Sequence, residues 1–446
     1  MKVLLVSGNT AESPYPVYPL GLSIVARALR RKGHVVSLFD FLQQECSLDR
    51  LTERLKDFRP EAVGISIRNI DNVNLVHEQR YLDGVRAIVS TIRAVDPVPV
   101  VVGGCGFSLM PEQILAYVHA DYGIQGEGEE AFDRLLQRLA RGETPPERVI
   151  RTAPAMPGAE IGGADYDPDL LSFYLRKSRL IPIQTKRGCT RMCAYCTYPV
   201  LEGPQIRSRP AAEVVDEMES LLSGETKDGF FFVDSLFNDS RGTYRALVHE
   251  MDRRGICIPW TAFFAPSPEL DDDIVARMKK TGLRSAELGA DAMSDATLAA
   301  LNKGFRFREV VATNELFRKH DIATAHFFMA GGPGETPETL EEGIQNVLGL
   351  RQTVNFFFLG IRLIPHTPLM RRALEEGAWS GDEDLLEPAY YLSPRIDRQR
   401  MHQRLVEAFA DKPHCVFPPD KLDDKLQILC RLGLPLDESY RLLSRE

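Results

Sequence analysis

The tightest constraint on this chain is a loop of thiols. Within residues 186–198, Cys189, Cys193 and Cys196 stand in the spacing C-x3-C-x2-C, just after an apolar run at 180–183 that reads as a β-strand. Thiolates are soft ligands that select iron–sulfur clusters, zinc or copper. Structural zinc loops usually show paired C-x2-C units. Only one such pair is present, so zinc would need a His or Cys from elsewhere in the chain. A four-iron cluster normally takes four thiolates. Three of them, with no fourth in the next dozen residues, leave one iron open to a further ligand.

The 446 residues suggest about three domains. Apolar and charged fractions of 44% and 26% allow sizeable cores. A formal net charge of −9 argues against a large nucleic-acid footprint. No apolar run approaches the length of a membrane span. Residues 1–9 are too short and end too polar for a signal peptide, and read as a first buried strand. The other cysteines, Cys46, Cys105, Cys257, Cys415 and Cys430, are too scattered for a disulfide framework. A cytoplasmic location is expected.

Residues 1–150 alternate strand and helix patterns. Strands are expected at 2–6, 34–39, 62–67, 98–102 and 122–125, with helices at 20–31, 51–58, 78–94, 111–118 and 129–141. This order means a doubly wound parallel sheet, a Rossmann-like α/β domain, with ligands at the carboxyl ends of its strands. Glycine-bearing turns follow two of those ends, at Gly103-Gly104 and at Gly126-Glu127-Gly128. Ser66 and Arg68 lie at the end of a third. A Gly-, Pro-, Ala- and Asp-rich stretch, 151–178, reads as a linker. From 179 to 370 the alternation resumes in longer units that suit a partial (β/α)6 barrel. Residues 371–446 read as a small, mostly helical region, a lid over the substrate.

The thiol loop, with Tyr195 directly before its last cysteine, resembles the cluster loop of radical S-adenosylmethionine (SAM) enzymes. Residues 285–304 and 326–336 are similar to that family's fourth and fifth strand regions. The resemblance implies a [4Fe-4S] cluster on Cys189, Cys193 and Cys196, with SAM chelated at the open iron. It also implies SAM contacts at Tyr195, Asp234, Ser235, Glu287, Gly331 and Gly332. Asp234 would receive the SAM amino group or serve as a helix N-cap. Glu287 would accept from ribose hydroxyls or be a satisfied interior carboxylate. Arg207 and Arg209 would neutralise carboxylates near the cluster or lie on the surface, and His326 reads as packed.

The first 150 residues are similar to the cobalamin-binding domain that precedes many radical SAM cores. That implies cobalamin contacts at Ser66, Arg68, Gly103, Gly104, Gly126 and Glu127. The cobalt-ligating His of D-x-H-x-x-G is missing from the loop at 7–14. Arg68 is therefore the candidate cover for the lower cobalt face, or else pairs with Asp71 or a cofactor phosphate.

Together these resemblances imply a cobalamin-dependent radical SAM methyltransferase. It would methylate an unactivated carbon of a small molecule or peptide through methylcobalamin and a 5′-deoxyadenosyl radical. An external donor of flavodoxin or ferredoxin type would supply the electron, and no nucleic acid or membrane span is expected. No side chain is assigned a catalytic role. The alternatives are a cyclase, oxidase or rearrangement enzyme with the same cofactors, non-radical methyl transfer from cobalamin, and a cobalamin- or SAM-sensing binding protein. A methylthiotransferase fits less well, because the N-terminal domain lacks extra cluster cysteines and no basic RNA-binding module follows.

Overall fold

Short apolar runs that end on polar residues build the first of two parallel sheets. The computed structural model describes residues 1–153, 155–222, 228–381, 384–431 and 436–444. Pro154, in the stretch read as a linker, and the Cys430 side chain lie outside the described residues. The chain divides into two units. The first holds Met1–Glu12, Val17–Asn72 and Glu78–Phe173; the second holds Ser13–Pro16, Val73–His77 and Tyr174–Glu446.

The first unit has strands β1 (Lys2–Ser7), β2 (Val35–Asp40), β3 (Ala62–Ser66), β4 (Val100–Gly103), β5 (Tyr122–Gln125) and β6 (Val149–Arg151). All pair in parallel, in the order β2-β1-β3-β4-β5-β6. Helices Leu20–Arg31 and Gly128–Ala140 cover one face. There Leu22, Ala26, Leu29, Phe132 and Leu135 meet Val3, Leu5, Val101 and Ile124. Strand order reverses between β1 and β3, the crevice where such sheets bind ligands.

The expected alternation holds with two differences. The helix expected from residue 78 begins at Leu82, and Val73–His77 group with the second unit. β6 ends where the stretch read as a linker begins, and that stretch carries a helix, Pro168–Ser178. A three-residue strand has no periodicity to read.

In the second unit follow β7 (Leu180–Ile183), β8 (Lys186–Arg187), β9 (Arg207–Ser208), β10 (Gly229–Phe232), β11 (Trp260–Phe264), β12 (Leu283–Asp291), β13 (Ala323–Ala330), β14 (Thr353–Leu359), β15 (Ile361–Arg362), β16 (Tyr390–Tyr391) and β17 (Cys415–Val416). The main sheet runs β17-β14-β13-β12-β11-β10-β7, all parallel. Six strands are those of the expected partial barrel. The seventh, β17, comes from the tail, which also supplies β16 and is helical at Arg398–Phe409, Asp423–Arg431 and Leu436–Leu443.

Alternation of side chains sorts the aromatics between the two faces of this sheet. Phe232, Trp260 and Phe264 stack around Phe237 and meet Phe317 of the helix Phe307–Lys319. Phe231, Ala325, Val354 and Phe356 lie on the other face, covered by Leu422, Leu426 and Tyr440 of the tail. Each fully buried Phe contributes on the order of 2–3 kcal/mol, so both layers weigh heavily in holding the strand ends in place.

Candidate active site

The thiol loop leaves β8 through Gly188, whose φ is 89°. A Cβ there would collide with the carbonyl of Gln205, beside the antiparallel β8–β9 pair. Only glycine lets the chain turn so close to that pair. Sequence reasoning passed over Gly188, although its place directly before Cys189 was the signal. Its amide donates to Glu202 Oε2 (2.9 Å), its carbonyl accepts from Ser235 Oγ (3.0 Å), and Cys189 N donates to Gly203 O (3.2 Å).

Further along, Ala194 N donates to Leu301 O (2.9 Å) and accepts, through its carbonyl, from Leu369 N (2.8 Å). Asn302 Nδ2 donates to Met192 O (2.7 Å), and Arg191 Nη1 to Lys303 O (3.0 Å). Cys189 and Cys193 are buried and Cys196 is half-buried. Burial pushes the Cys196 thiol up to about 12 and raises Cys193, on which the Lys303 charge acts downward more strongly than Asp291 acts upward.

Three soft donors on one tethered loop fit a cluster. Among the described residues, no three His, Cys, Asp or Glu side chains converge on a single ion, as a mononuclear zinc loop would require. A cubane spreads its thiolates around itself and needs no such convergence.

The residues assigned to SAM by resemblance divide. Tyr195 lies within the loop, with its hydroxyl donating to Asp291. Burial, then the Asp291 charge, raises that hydroxyl far above its usual value. Asp234 serves its own chain. The residue is 1% exposed, and its carboxylate accepts from Thr185 N (2.7 Å), Thr185 Oγ1 and Lys186 N (3.1 Å). It thus pins the strand end. Buried Lys186, which donates to Phe237 O (2.6 Å) and Asp239 Oδ2 (2.9 Å), completes that network. Ser235 buttresses the loop through Gly188.

Gly331 and Gly332 lie against the chain's own tail and β15. A Cβ at Gly331, where φ is 85°, would meet Leu392 and Met401 at 2.8 Å, and one at Gly332 would meet Ile361 at 3.2 Å. The glycine turn admits the tail of this same chain, where Ser393 N donates to Gly331 O (2.9 Å). Buried Arg209 pairs with half-buried Glu217 (2.6 Å), and Arg207 donates to Glu202 O (2.8 Å). His326 is packed as expected. Its Nε2 faces Asn314 Oδ1 at 3.1 Å, and burial holds it down to about 3.

Glu287 sits in mid-strand, in register with Phe263 and Ala325, so it shares the tail-covered face of the sheet. Tyr440 Oη donates to its Oε1 at 3.5 Å, and burial pushes the carboxyl up to about 8. The aromatic rings on that face are Phe231 against Phe263, and Phe356 against both Phe327 and Tyr440.

In the first unit, β3 and β4 place Ser66 beside Gly103. Gly104, with φ of 98°, passes under Ile67, and a Cβ there would stand 2.6 Å from the Ile67 carbonyl. A Cβ at Gly103 would find only ordinary contact, 3.5 Å from Ile124 O. The chain's own packing does not require glycine there, so the missing side chain leaves room for a ligand. Arg68 is exposed beside it. Adjacent strand ends with a hydroxyl, a guanidinium and a bare backbone suit the amides and phosphate of cobalamin.

Gly126 and Glu127 lie against the segment after β6. A Cβ at Gly126 would collide with Thr152 Oγ1, which accepts from Glu127 N (3.0 Å). Glu127 Oε2 accepts from Met156 N (2.7 Å), so this turn serves the segment after β6.

The B12 binding domain family model matches residues 6–136, and the Radical SAM superfamily model matches 183–346. The tryptophan 2-C-methyltransferase of Streptomyces laurentii is 27% identical, over 84% of this chain and 74% of that protein. The cytidylyl-2-hydroxyethylphosphonate methyltransferase of Streptomyces wedmorensis is 23% identical, over 87% and 84%. Among solved structures, the radical SAM methyltransferase TsrM from Kitasatospora setae, with cobalamin and a [4Fe-4S] cluster bound, superposes with a TM-score of 0.84. It is 25% identical, with 99% of this chain and 97% of that chain covered.

Proposed function

Given that the chain belongs to the cobalamin-binding branch of the radical SAM enzymes and is a methyltransferase of that class, we propose that it methylates a carbon of a small aromatic molecule. When bound, the cluster supplies an electron, SAM the methyl group and the 5′-deoxyadenosyl radical, and cobalamin a carrier for methyl. Cys189, Cys193 and Cys196 would hold the cluster. Ser66, Arg68 and Gly103 would hold cobalamin.

The observation that carries the substrate reading is Glu287. At neutral pH a carboxyl pushed up to about 8 keeps its proton. Tyr440 donates to Oε1, which leaves the proton on Oε2, from which it can be donated to an acceptor on the substrate. Phe263 and Phe356 on the same face suit a flat ring. The similarity to a tryptophan methyltransferase supports the same class of substrate.

An external flavodoxin- or ferredoxin-type donor would bring the electron, since the described cysteines outside the loop are scattered, with Cys46, Cys105 and Cys257 exposed. Exposed reduced thiols suit the cytoplasm.

The test is anaerobic reconstitution with iron, sulfide and hydroxocobalamin, followed by reduction and SAM labelled in its methyl group. Tryptophan, indole and non-aromatic amino acids are then offered. Label in an aromatic product together with S-adenosylhomocysteine is the expected result, and 5′-deoxyadenosine formed in step with product marks a radical route. If label enters only non-aromatic acceptors, or none while 5′-deoxyadenosine accumulates, the reading fails. Activity should also fall as pH rises through about 8, and this limb should vanish in Glu287→Gln, which keeps a donor.

A further inference from the structure

Behind the thiol loop lies a buried charge that the cofactors do not account for. Lys303 is 6% exposed, and its ammonium pairs with Asp291, the residue that also accepts from Tyr195. The same ammonium lies 5.7 Å from the centre of the Tyr195 ring and 5.6 Å from that of Phe305. Its own carbonyl accepts from Arg191, and the residues just before it, Leu301 and Asn302, bond to the backbone at Ala194 and Met192. Four of the loop's residues between its first and last cysteines are thus tied to one short segment, 301–303.

We propose that Lys303 is a positioning residue for the iron–sulfur site, bracing Tyr195 through Asp291, and that its fixed positive charge raises the reduction potential of the cluster. Accepting an electron adds negative charge to the cluster. A cation held in a buried, weakly screened place favours that reduced form, and cluster potentials do respond to nearby charge and to exposure. Lysine suits the position because its ammonium can meet a carboxylate and two ring faces at once. The inference rests on the cluster being held by the three cysteines. If reconstituted wild-type protein takes up no iron, that assignment fails and Lys303 is not the cause.

The experiment is a redox titration of the reconstituted holoenzyme, followed by the electron paramagnetic resonance signal of the reduced cluster, with iron per chain measured alongside. Lys303→Met should keep its iron and shift the reduction equilibrium toward the oxidised form about tenfold, which is about 59 mV for one electron. Lys303→Arg should restore the wild-type value. An unchanged potential in an iron-replete Lys303→Met protein overturns the proposal, as does failure of the arginine variant to restore it.

If Lys303→Met loses its iron, Asp291→Asn decides the question. It keeps a partner for Tyr195 while freeing the lysine charge, so the potential should rise. A potential that stays or falls in Asp291→Asn overturns the proposal.

Discussion

Glycine after a strand serves opposite ends at different turns of this molecule. In the first unit, Gly103 stands where a side chain would fit, which leaves room for a ligand, while Gly104 and Gly126 are hemmed in by their own chain. In the second, Gly188 and Gly331 hold left-handed backbone, and the spaces beside them are taken by Gln205, Leu392 and Met401 of the same chain. A glycine turn read from sequence therefore says that something comes close, and only packing says whether that is cofactor or protein.

The sharpest attack on this contrast is Gly188→Ala. Left-handed backbone costs about 1–2 kcal/mol for a residue with a Cβ, and collision with a backbone carbonyl cannot relax cheaply. A loss of about 3–5 kcal/mol is expected, read by thermal unfolding, together with loss of iron after reconstitution.

Next in size is the pH response of Glu287. Its folded value of about 8 lies above the ordinary carboxylate value of about 4.3. The folded state thus holds a proton that the unfolded state releases, and stability falls as pH rises from about 4.3 through about 8. Urea titrations at pH 5 and pH 8.5 should show Glu287→Gln gaining on wild type by roughly 2–4 kcal/mol at the higher pH.

Smaller again, Gly331→Ala should cost about 1–2 kcal/mol, because its neighbours are flexible side-chain ends. Protease susceptibility near Leu392 should rise with it. Smallest in stability is Gly103→Ala, expected within about 0.5 kcal/mol of wild type. Its hydroxocobalamin dissociation constant, followed spectrophotometrically, should nonetheless rise about tenfold, or about 1.4 kcal/mol. Should Gly103→Ala unfold the protein instead, Gly103 is needed by its own chain in the way Gly188 is.

Much of this was legible in advance. Alternating apolar runs mark the strands of the first sheet except β6, and the cysteine spacing marks the loop proposed to hold the cluster. What escaped did so for physical reasons. A strand-end aspartate has the same appearance whether it meets a ligand or, like Asp234, caps backbone amides of its own chain. Lys303 and Asp291 are distant in sequence from Tyr195, and no local pattern joins them. Strands β6 and β17 are too short to leave a periodic trace, and β17 is recognisable only once β14 lies beside it.

That last pairing carries a cost in assembly. Two residues, Cys415 and Val416, supply the outermost hydrogen bonds of the second sheet, to Asn355 and Phe356. They emerge from the ribosome after the rest of the barrel. Until then β14 is a bare sheet edge whose Phe356, Phe357, Phe358 and Leu359 form the kind of uncharged run that recruits other strands. A chain cut short before Cys415 should therefore be lost to aggregation rather than accumulate as a smaller, working enzyme.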